Sequence, residues 1–437
     1  MAMKAKIIGY GISGKAAESY LEKQGIETVV VADGEEKVLG DYDFCVVSPG
    51  VPSQQIKNEI VPVIPEVELP FFCEPKLKPR CLIAVTGTNG KTTVVNQIYR
   101  MCALAKNKSV LCGNVGVPVS RVAQQLSGAV AVMEVSSFML EHTQRLHPHI
   151  AVLTNITADH LDRHQNMEEY IRCKTRIVEK QTRRDCLVIN WDDINARQVG
   201  LSIQHLQSTR VIWYSTREVV NGYYVLDGKV WEKLGRRARV LGMAETLGTM
   251  EHSLSNALAV VAVGRRLKLS AAIIWEACQT RPQAHRMELV ADDQGVAFYN
   301  DSKATNMAAT LAGVNAIKMP ICLILCGLSK GQDYNELLTQ MPNHVKQILV
   351  FGAIRETVMN VAQALGLTQV KAVVDLQDAV KHALQLVEKP GVVLFSPSGS
   401  SFDQFINYEH RGDEFREIVH NVIGQVTQYS RPTDEGL

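Results

Sequence analysis

Residues 81–93 read CLIAVTGTNGKTT. An apolar, β-branched run ends in a turn with two glycines and a lysine. VVNQIYRMCALA (94–105) then carries apolar residues at helical spacing. Strand, glycine turn and helix, in that order, let backbone N–H groups and a helix N-terminus hold phosphate oxygens. The usual phosphate-loop pattern, G-x-x-x-x-G-K-[ST], wants a glycine five positions before Gly90. That position is Val85. The glycine stands instead at Gly87, so the loop reads G-x-x-G-K-T-T. Glycines let the backbone turn tightly around an anion. Lys91 can reach terminal phosphates, and the hydroxyl of Thr92 or Thr93 can reach magnesium. The competing reading is a glycine-rich turn with a solvated lysine, and the order of elements favours the phosphate loop.

The chain has 437 residues, enough for two to four domains. It is 46% hydrophobic and 21% charged, as soluble globular proteins are. A net charge of +1 and the lack of a long Lys/Arg run give no footprint for nucleic acid. Ten scattered cysteines without a C-x-x-C fit reduced thiols better than a disulfide scaffold or a zinc site. KAKIIGYG begins a strand at once and leaves no room for a signal peptide, and no apolar stretch reaches membrane-spanning length. A cytoplasmic protein without membrane insertion is expected.

Outward from the loop the chain falls into three α/β blocks. Residues 4–70 alternate strand-like AKIIGYG, TVVVAD and DFCVVSPG with helix-like GKAAESYLEKQG. A stretch with prolines at 62, 65, 70, 75 and 79 follows, so a boundary is placed at 77/78. The central block, 78–282, holds AVAVMEVSS, AVLTNIT and CLVIN, a more irregular β-rich part, and a helix in SLSNALAVVAVGRRL. The last block, 283–437, has strands at ICLILCG, QILVFG and GVVLFS. The tail QYSRPTDEGL reads as frayed.

Two further features carry chemistry. Gly9, Gly11 and Gly14 form G-x-G-x-x-G between a strand and a helix, with Asp33 at the spacing of a ribose-binding acid. Alone this suggests an NAD enzyme. A diphosphate nucleotide of some kind is the broader reading, and a purely structural βα turn competes with both. Glu134 ends a strand-like run and is placed to serve magnesium near Thr92. The next strand ends in ADHLDRH, with Asp159, His160, Asp162 and His164. In parallel sheets the ligand crevice lies at the carboxyl ends of strands, and Asp and His there suit a hard cation. Lys174 in EEYIRCKTRIVEK stays open by spacing alone, since a helix lysine is normally solvated.

Taken together, TGTNGKTT, EVSS, TNITADHLDRH, Asn256 in HSLSNALA, HRMELV and NDSKATN resemble the Mur ligase family of ATP-dependent amino-acid ligases. NDSKATN and FSPSGSSFDQFINYEHRGDEF look most like its D-glutamate-adding member; a diaminopimelate-adding one would carry D-N-P-R. The resemblance spans the whole chain. It implies an N-terminal Rossmann-like domain, a central P-loop ATPase-like domain and a C-terminal Rossmann-like domain. It implies ATP and magnesium as cofactors, and UDP-N-acetylmuramoyl-L-alanine and D-glutamate as substrates of a monomeric enzyme.

The resemblance also reassigns the N-terminal turn from NAD to the UDP-sugar. By it, Gly11, Ile12, Ser13, Asp33, Gly34, Ser48, Asn114, Ser136 and Ser137 contact the UDP-sugar. Gly87, Thr88, Asn89, Gly90, Lys91, Thr92, Thr93, Asn256, Arg286 and Asp301 contact ATP. Thr92, Glu134, His160 and Lys174 hold magnesium, Lys174 as a carbamate. Lys303, Thr305, Lys330, Ser401 and Tyr408 surround D-glutamate. Lys91, Lys174 and His160 are the expected catalytic groups. Three departures stand out: Ser253 replaces the first Asn of the family's H-N-x-x-N, Tyr408 replaces a phenylalanine, and the family's G-G-x-G-K segment reads CGLSKG.

Overall fold

The computed structural model describes residues 3–31, 41–57, 59–206, 209–248, 251–279 and 284–429, apart from the side chains of Asp162 and of 424–429. The chain forms two compact units: Met1–Thr157 with Arg163–Gln279, and Ala158–Asp162 with Thr280–Leu437.

The first unit holds two sheets. In the smaller, β1 (Lys4–Ile8), β2 (Glu27–Val31), β3 (Phe44–Val47) and β4 (Val63–Pro65) lie in the order β2-β1-β3-β4, all parallel. The larger contains β5 (Cys81–Thr86), β6 (Ser109–Gly113), β7 (Val130–Glu134), β8 (Ile150–Leu153) and β9 (Cys186–Asn190). It continues with β10 (Arg210–Ser215), β11 (Gly222–Leu226), β12 (Lys229–Leu234) and β13 (Arg237–Met243). Their order is β13-β12-β11-β10-β9-β8-β5-β7-β6. Only the β11–β12 and β12–β13 pairs are antiparallel.

Every residue of β7, β8 and β9 is buried. A parallel sheet covered on both faces needs such continuous apolar runs, which is why CLIAV and IAVL do not alternate. The β11–β12 hairpin turns at Asp227-Gly228, both at positive φ, as a tight turn matched to strand twist requires. The helix Lys91–Leu104 packs Val94, Val95, Ile98, Met101 and Cys102 into the core, on one face by their spacing. Full burial of a side chain such as Ile98 contributes roughly 1.5–3 kcal/mol.

The proline-rich stretch is more than a linker. It carries β4, a 3₁₀ turn at Glu66–Glu68 and a helix at Leu69–Cys73 whose first turn takes Pro70, where no N–H is needed. Two buried glutamates tie it to the central part. Glu66 accepts from the backbone N–H of Ser120 at 2.8 Å, and one oxygen of Glu68 accepts from Gln144, Arg145 and Leu146 at 2.8, 2.7 and 2.6 Å. Burial pushes both carboxyls above the usual range, and these N–H donors pull against it.

The second unit contains β14 (Glu288–Asp293), β15 (Val296–Asn300), β16 (Ile321–Cys326), β17 (Val345–Val350), β18 (Val370–Ala372) and β19 (Gly391–Ser398). Their order is β14-β15-β19-β16-β17-β18, antiparallel only between β14 and β15. All ten cysteines are free. Among the described residues no helix is long and apolar enough to cross a membrane. Residues 430–437 of the tail lie outside the described residues.

Candidate functional site

In the larger sheet β5 lies between β7 and β8, so the carboxyl ends of these three strands meet. The loop 86–90 leaves β5 there. Gly87 has φ 145°, and a Cβ on it would stand 1.9 Å from Thr154 Oγ1. Gly90 has φ 85°, and a Cβ on it would stand 2.3 Å from Asn256 Oδ1. Both glycines are therefore fixed by φ and by a neighbour. The loop is sewn to the end of β8: Thr88 N–H donates to the Asn155 carbonyl at 2.9 Å, and Asn89 N–H to Asn155 Oδ1 at 2.8 Å. Thr154 Oγ1 donates to the Asn89 carbonyl at 2.6 Å. The ammonium of Lys91 donates to the Gly87 and Thr88 carbonyls, both at 2.8 Å, and so lies over its own loop. Thr92 and Thr93 are half-buried in the first turn of the helix that Gly90 caps.

The helix Met167–Thr175 brings up two more groups. The Tyr170 hydroxyl lies 3.1 Å from Thr88 Oγ1. One turn on, Lys174 is 1% exposed, donates to the Gly87 carbonyl at 2.9 Å and sits 4.4 Å from the centre of the Tyr170 ring. This rules out the solvated helix lysine that its spacing left open. Lys91 and Lys174 thus converge on one carbonyl.

Glu134, at the end of β7, is 2% exposed. Its Oε1 accepts from Asn114 Nδ2 at 2.7 Å, while its Oε2 is buried without a hydrogen-bond partner. An unsatisfied carboxylate oxygen is costly, and a hard cation would satisfy it. Among the described residues no group of three or more His, Cys, Asp or Glu forms a ready-made metal site, so a cation here needs hydroxyl or other oxygen ligands as well. Just beyond, Ser136 caps the helix Ser137–Leu140 by accepting from Met139 N–H at 3.2 Å, and Ser137 Oγ lies 2.9 Å from His164 Nε2.

In the smaller sheet, the turn after β1 is tight at both ends and open in the middle. A Cβ on Gly14 would meet the Gly9 carbonyl oxygen at 2.2 Å, and one on Gly9, at φ 84°, would meet Val51 at 2.6 Å. Ser48 Oγ donates to the same Gly9 carbonyl at 2.7 Å. A Cβ on Gly11 would touch nothing within 4 Å. Ile12 is 76% exposed, and Ser13 stands beside it in the first turn of the helix Ile12–Lys23. Asp33 and Gly34 lie outside the described residues.

The second unit assembles its own polar cluster. Asp159 pairs with Lys330 at 3.3 Å and accepts from Asn306 Nδ2 at 3.3 Å. His160, with φ 56°, has its Nε2 3.7 Å from Asp159 Oδ2. The Lys303 ammonium lies 5.2 Å from the centre of the Tyr408 ring, and Thr305 N–H donates to the Lys303 carbonyl. Ser401 is buried at the end of the SPSGSS turn. Asp301 is buried and accepts from Ser396 Oγ at 2.9 Å and Met287 N–H at 3.2 Å; burial pushes its carboxyl up to about 7, while Ser396 and the neighbouring Arg286 hold it back.

The Mur ligase middle domain matches residues 85–264, and the Mur ligase, glutamate ligase domain matches residues 285–399. The chain belongs to the Mur ligase family. It is 33% identical over 453 residues to the UDP-N-acetylmuramoylalanine–D-glutamate ligase of Koribacter versatilis, covering 96% of this chain and 97% of that one. It is 35% identical over 409 residues to the enzyme of the same name from Lactiplantibacillus plantarum, covering 91% and 87%. The solved structure of the MurF ligase from Thermotoga maritima in complex with ADP has a TM-score of 0.58 at 13% identity, covering 97% and 96%, a likeness of fold.

Several groups in this Mur ligase were not singled out from its sequence. Thr154 and Asn155 anchor the phosphate loop, and the polar end of the strand AVLTNIT was the only hint of it. Tyr170 braces Thr88. Arg163, within the quoted ADHLDRH, donates to the Gly50 and Val51 carbonyls at 3.1 and 2.6 Å and pairs with Glu141 at 2.7 Å, joining the smaller sheet's loop to the central part. Arg411, inside YEHRGDEF, is fully buried; it donates to the Ser302 carbonyl at 2.7 Å, to Ser302 Oγ at 3.0 Å and to the Gly399 carbonyl at 3.1 Å. It thereby locks the NDSKATN turn to the SPSGSS turn.

Proposed function

We propose that this chain ligates D-glutamate to UDP-N-acetylmuramoyl-L-alanine with ATP, as a step of peptidoglycan precursor synthesis. The near full-length likeness to enzymes named for that ligation carries the reading. The terminal alanine carboxylate attacks the γ-phosphorus of ATP and ADP leaves. The D-glutamate amine then attacks the acyl carbon of the resulting acyl phosphate and loses a proton. The C–O bond to phosphate breaks, leaving an amide and inorganic phosphate.

An anion attacking an anion meets repulsion, so the protein's part is positioning and electrostatic stabilisation. The loop residues 87–90, through the amides not already bonded to Asn155, and the Lys91 ammonium hold the ATP phosphates, Thr92 and Thr93 open the helix beneath them, and Asn256, Arg286 and Asp301 complete the ATP contacts. Thr92, Glu134, His160 and Lys174 would hold magnesium; the unpartnered oxygen of Glu134 supports this. Magnesium supplies positive charge that offsets the repulsion. Lys174 takes part as a carbamate, formed when its amine adds to carbon dioxide and loses a proton. Its remaining N–H can still donate to the Gly87 carbonyl, and its charge changes from one that repels a cation to one that attracts it. Gly11, Ile12, Ser13, Asp33, Gly34, Ser48, Asn114, Ser136 and Ser137 receive the UDP-sugar. Lys303, Thr305, Lys330, Ser401 and Tyr408 receive D-glutamate, whose two carboxylates the two lysines offset.

The proposed domains are 1–77, 78–282 and 283–437, each built on one of the three sheets. The enzyme is taken as a cytoplasmic monomer. The test is phosphate release from ATP and UDP-N-acetylmuramoyl-L-alanine with D-glutamate, L-glutamate, L-lysine or diaminopimelate. Release with D-glutamate alone is expected; release with another amino acid and not with D-glutamate would refute the assignment.

A further inference from the structure

His164 is 1% exposed, and its Nε2 lies 2.9 Å from Ser137 Oγ. Its ring stacks on Phe138, with centroids 5.4 Å apart and an interplanar angle of 25°, and leans on Tyr170 at 5.1 Å and 46°. Two aromatic rings therefore fix the plane of the imidazole, and the imidazole fixes the serine hydroxyl. Tyr170 is itself held by Thr88 of the phosphate loop. Ser137 is 3% exposed and opens the helix that Ser136 caps, three residues beyond Glu134, so its backbone is fixed as well. A hydroxyl can rotate to donate or to accept. A hydrogen bond with a ring held by two aromatic neighbours removes that freedom and leaves Ser137 with one orientation in which to meet a ligand.

We infer that His164 is a positioning residue for the UDP-sugar: by holding the Ser137 hydroxyl in one orientation it strengthens binding of that substrate and leaves ATP binding alone. This rests on the reading of Ser137 as a UDP-sugar contact. The core alternative, in which the histidine only fills space between Phe138 and Tyr170, makes a different prediction. A phenylalanine would serve that purpose as well.

The experiment compares His164→Phe, His164→Gln, His164→Asn, Ser137→Ala and the double variant Ser137→Ala/His164→Phe in the full-length chain. Michaelis constants are measured for UDP-N-acetylmuramoyl-L-alanine and for ATP, with circular dichroism to confirm folding. Phenylalanine keeps the stack and loses the bond to Ser137. Glutamine places its terminal amide near the Nε2 position, whereas asparagine falls short of it. We expect His164→Phe and His164→Asn to raise the Michaelis constant for the UDP-sugar about tenfold, the scale of one lost hydrogen bond. That for ATP should stay within about twofold, and His164→Gln should lie near wild type. The double variant should be no worse than Ser137→Ala, because both changes remove one interaction. If Ser137→Ala raises the UDP-sugar constant while a folded His164→Phe does not, the role of His164 is overturned and the site reading stands. If Ser137→Ala is silent, the assignment of Ser137 fails, and that of His164 with it. Should His164→Phe not fold, Gln against Asn decides: equal constants for the two overturn the inference.

Discussion

Gly9-x-Gly11-x-x-Gly14 and Gly87-x-x-Gly90-Lys91 each follow a parallel strand of their sheet and lead into a helix, at Ile12 and at Lys91. In the central turn both glycines are demanded by the protein itself, one by Thr154 and one by Asn256, and a lysine side chain lies back across the loop. In the N-terminal turn Gly9 and Gly14 are demanded in the same way, but Gly11 is not: its φ is −76° and nothing stands near its missing Cβ. Lys15 follows Gly14 as Lys91 follows Gly90, but it is exposed and its ammonium lies 5.6 Å from the centre of the Tyr10 ring, whereas Lys91 bonds the carbonyls of its own loop. A turn with a cation folded across it suits a highly charged triphosphate. A turn with an open glycine and its lysine turned aside suits close approach of a diphosphate to the backbone. Two loops of one plan can thus divide two nucleotides between them.

The largest expected effect lies in the central turn. Lys91→Ala should lower turnover by on the order of a hundredfold or more with the far-ultraviolet circular dichroism unchanged; a folded variant turning over at the normal rate would remove the lysine from the mechanism. Lys174→Ala should lose most activity, and acetate should restore part of it by supplying the missing carboxylate, with Lys174→Glu retaining some function. Wild-type turnover of Lys174→Ala at saturating magnesium and ATP would count against the carbamate. Third comes stability. Gly87→Ala forces a Cβ onto Thr154 at positive φ and should cost about 2 to 4 kcal/mol, whereas Gly11→Ala should stay within about 1 kcal/mol. Urea melts of the two variants check this, and equal losses would mean that the turns are not built differently.

Much of this was legible in the sequence, for physical reasons that also mark where legibility stops. CLIAV, AVAVME and CLVIN announce buried strands because a covered parallel sheet leaves no polar alternation, and strand, glycine turn and a lysine opening a helix stand in the order of a phosphate loop. Lys174 and Arg411 were not legible by spacing: both are cations in helices, and charge on a helix ordinarily means solvent. Their burial depends on partners far along the chain, Gly87 for one and Ser302 for the other. The clamp of Thr154 and Asn155 on Asn89 joins residues about 65 apart and leaves no local trace. The proline-rich stretch read as a boundary. Its buried Glu66 and Glu68 show that a segment can separate two sheets in sequence and bind them in space.

The division of nucleotides between the two turns is tested most directly by isothermal titration of Gly11→Ala with UDP-N-acetylmuramoyl-L-alanine and, separately, with ADP and magnesium. The added methyl group has room in the protein and would meet only what approaches the turn from outside. The account predicts that the UDP-sugar binds about tenfold more weakly, the scale of one lost backbone contact, while ADP binds as it does to the wild type. Unchanged binding of the UDP-sugar, or an equal loss for ADP, would contradict it.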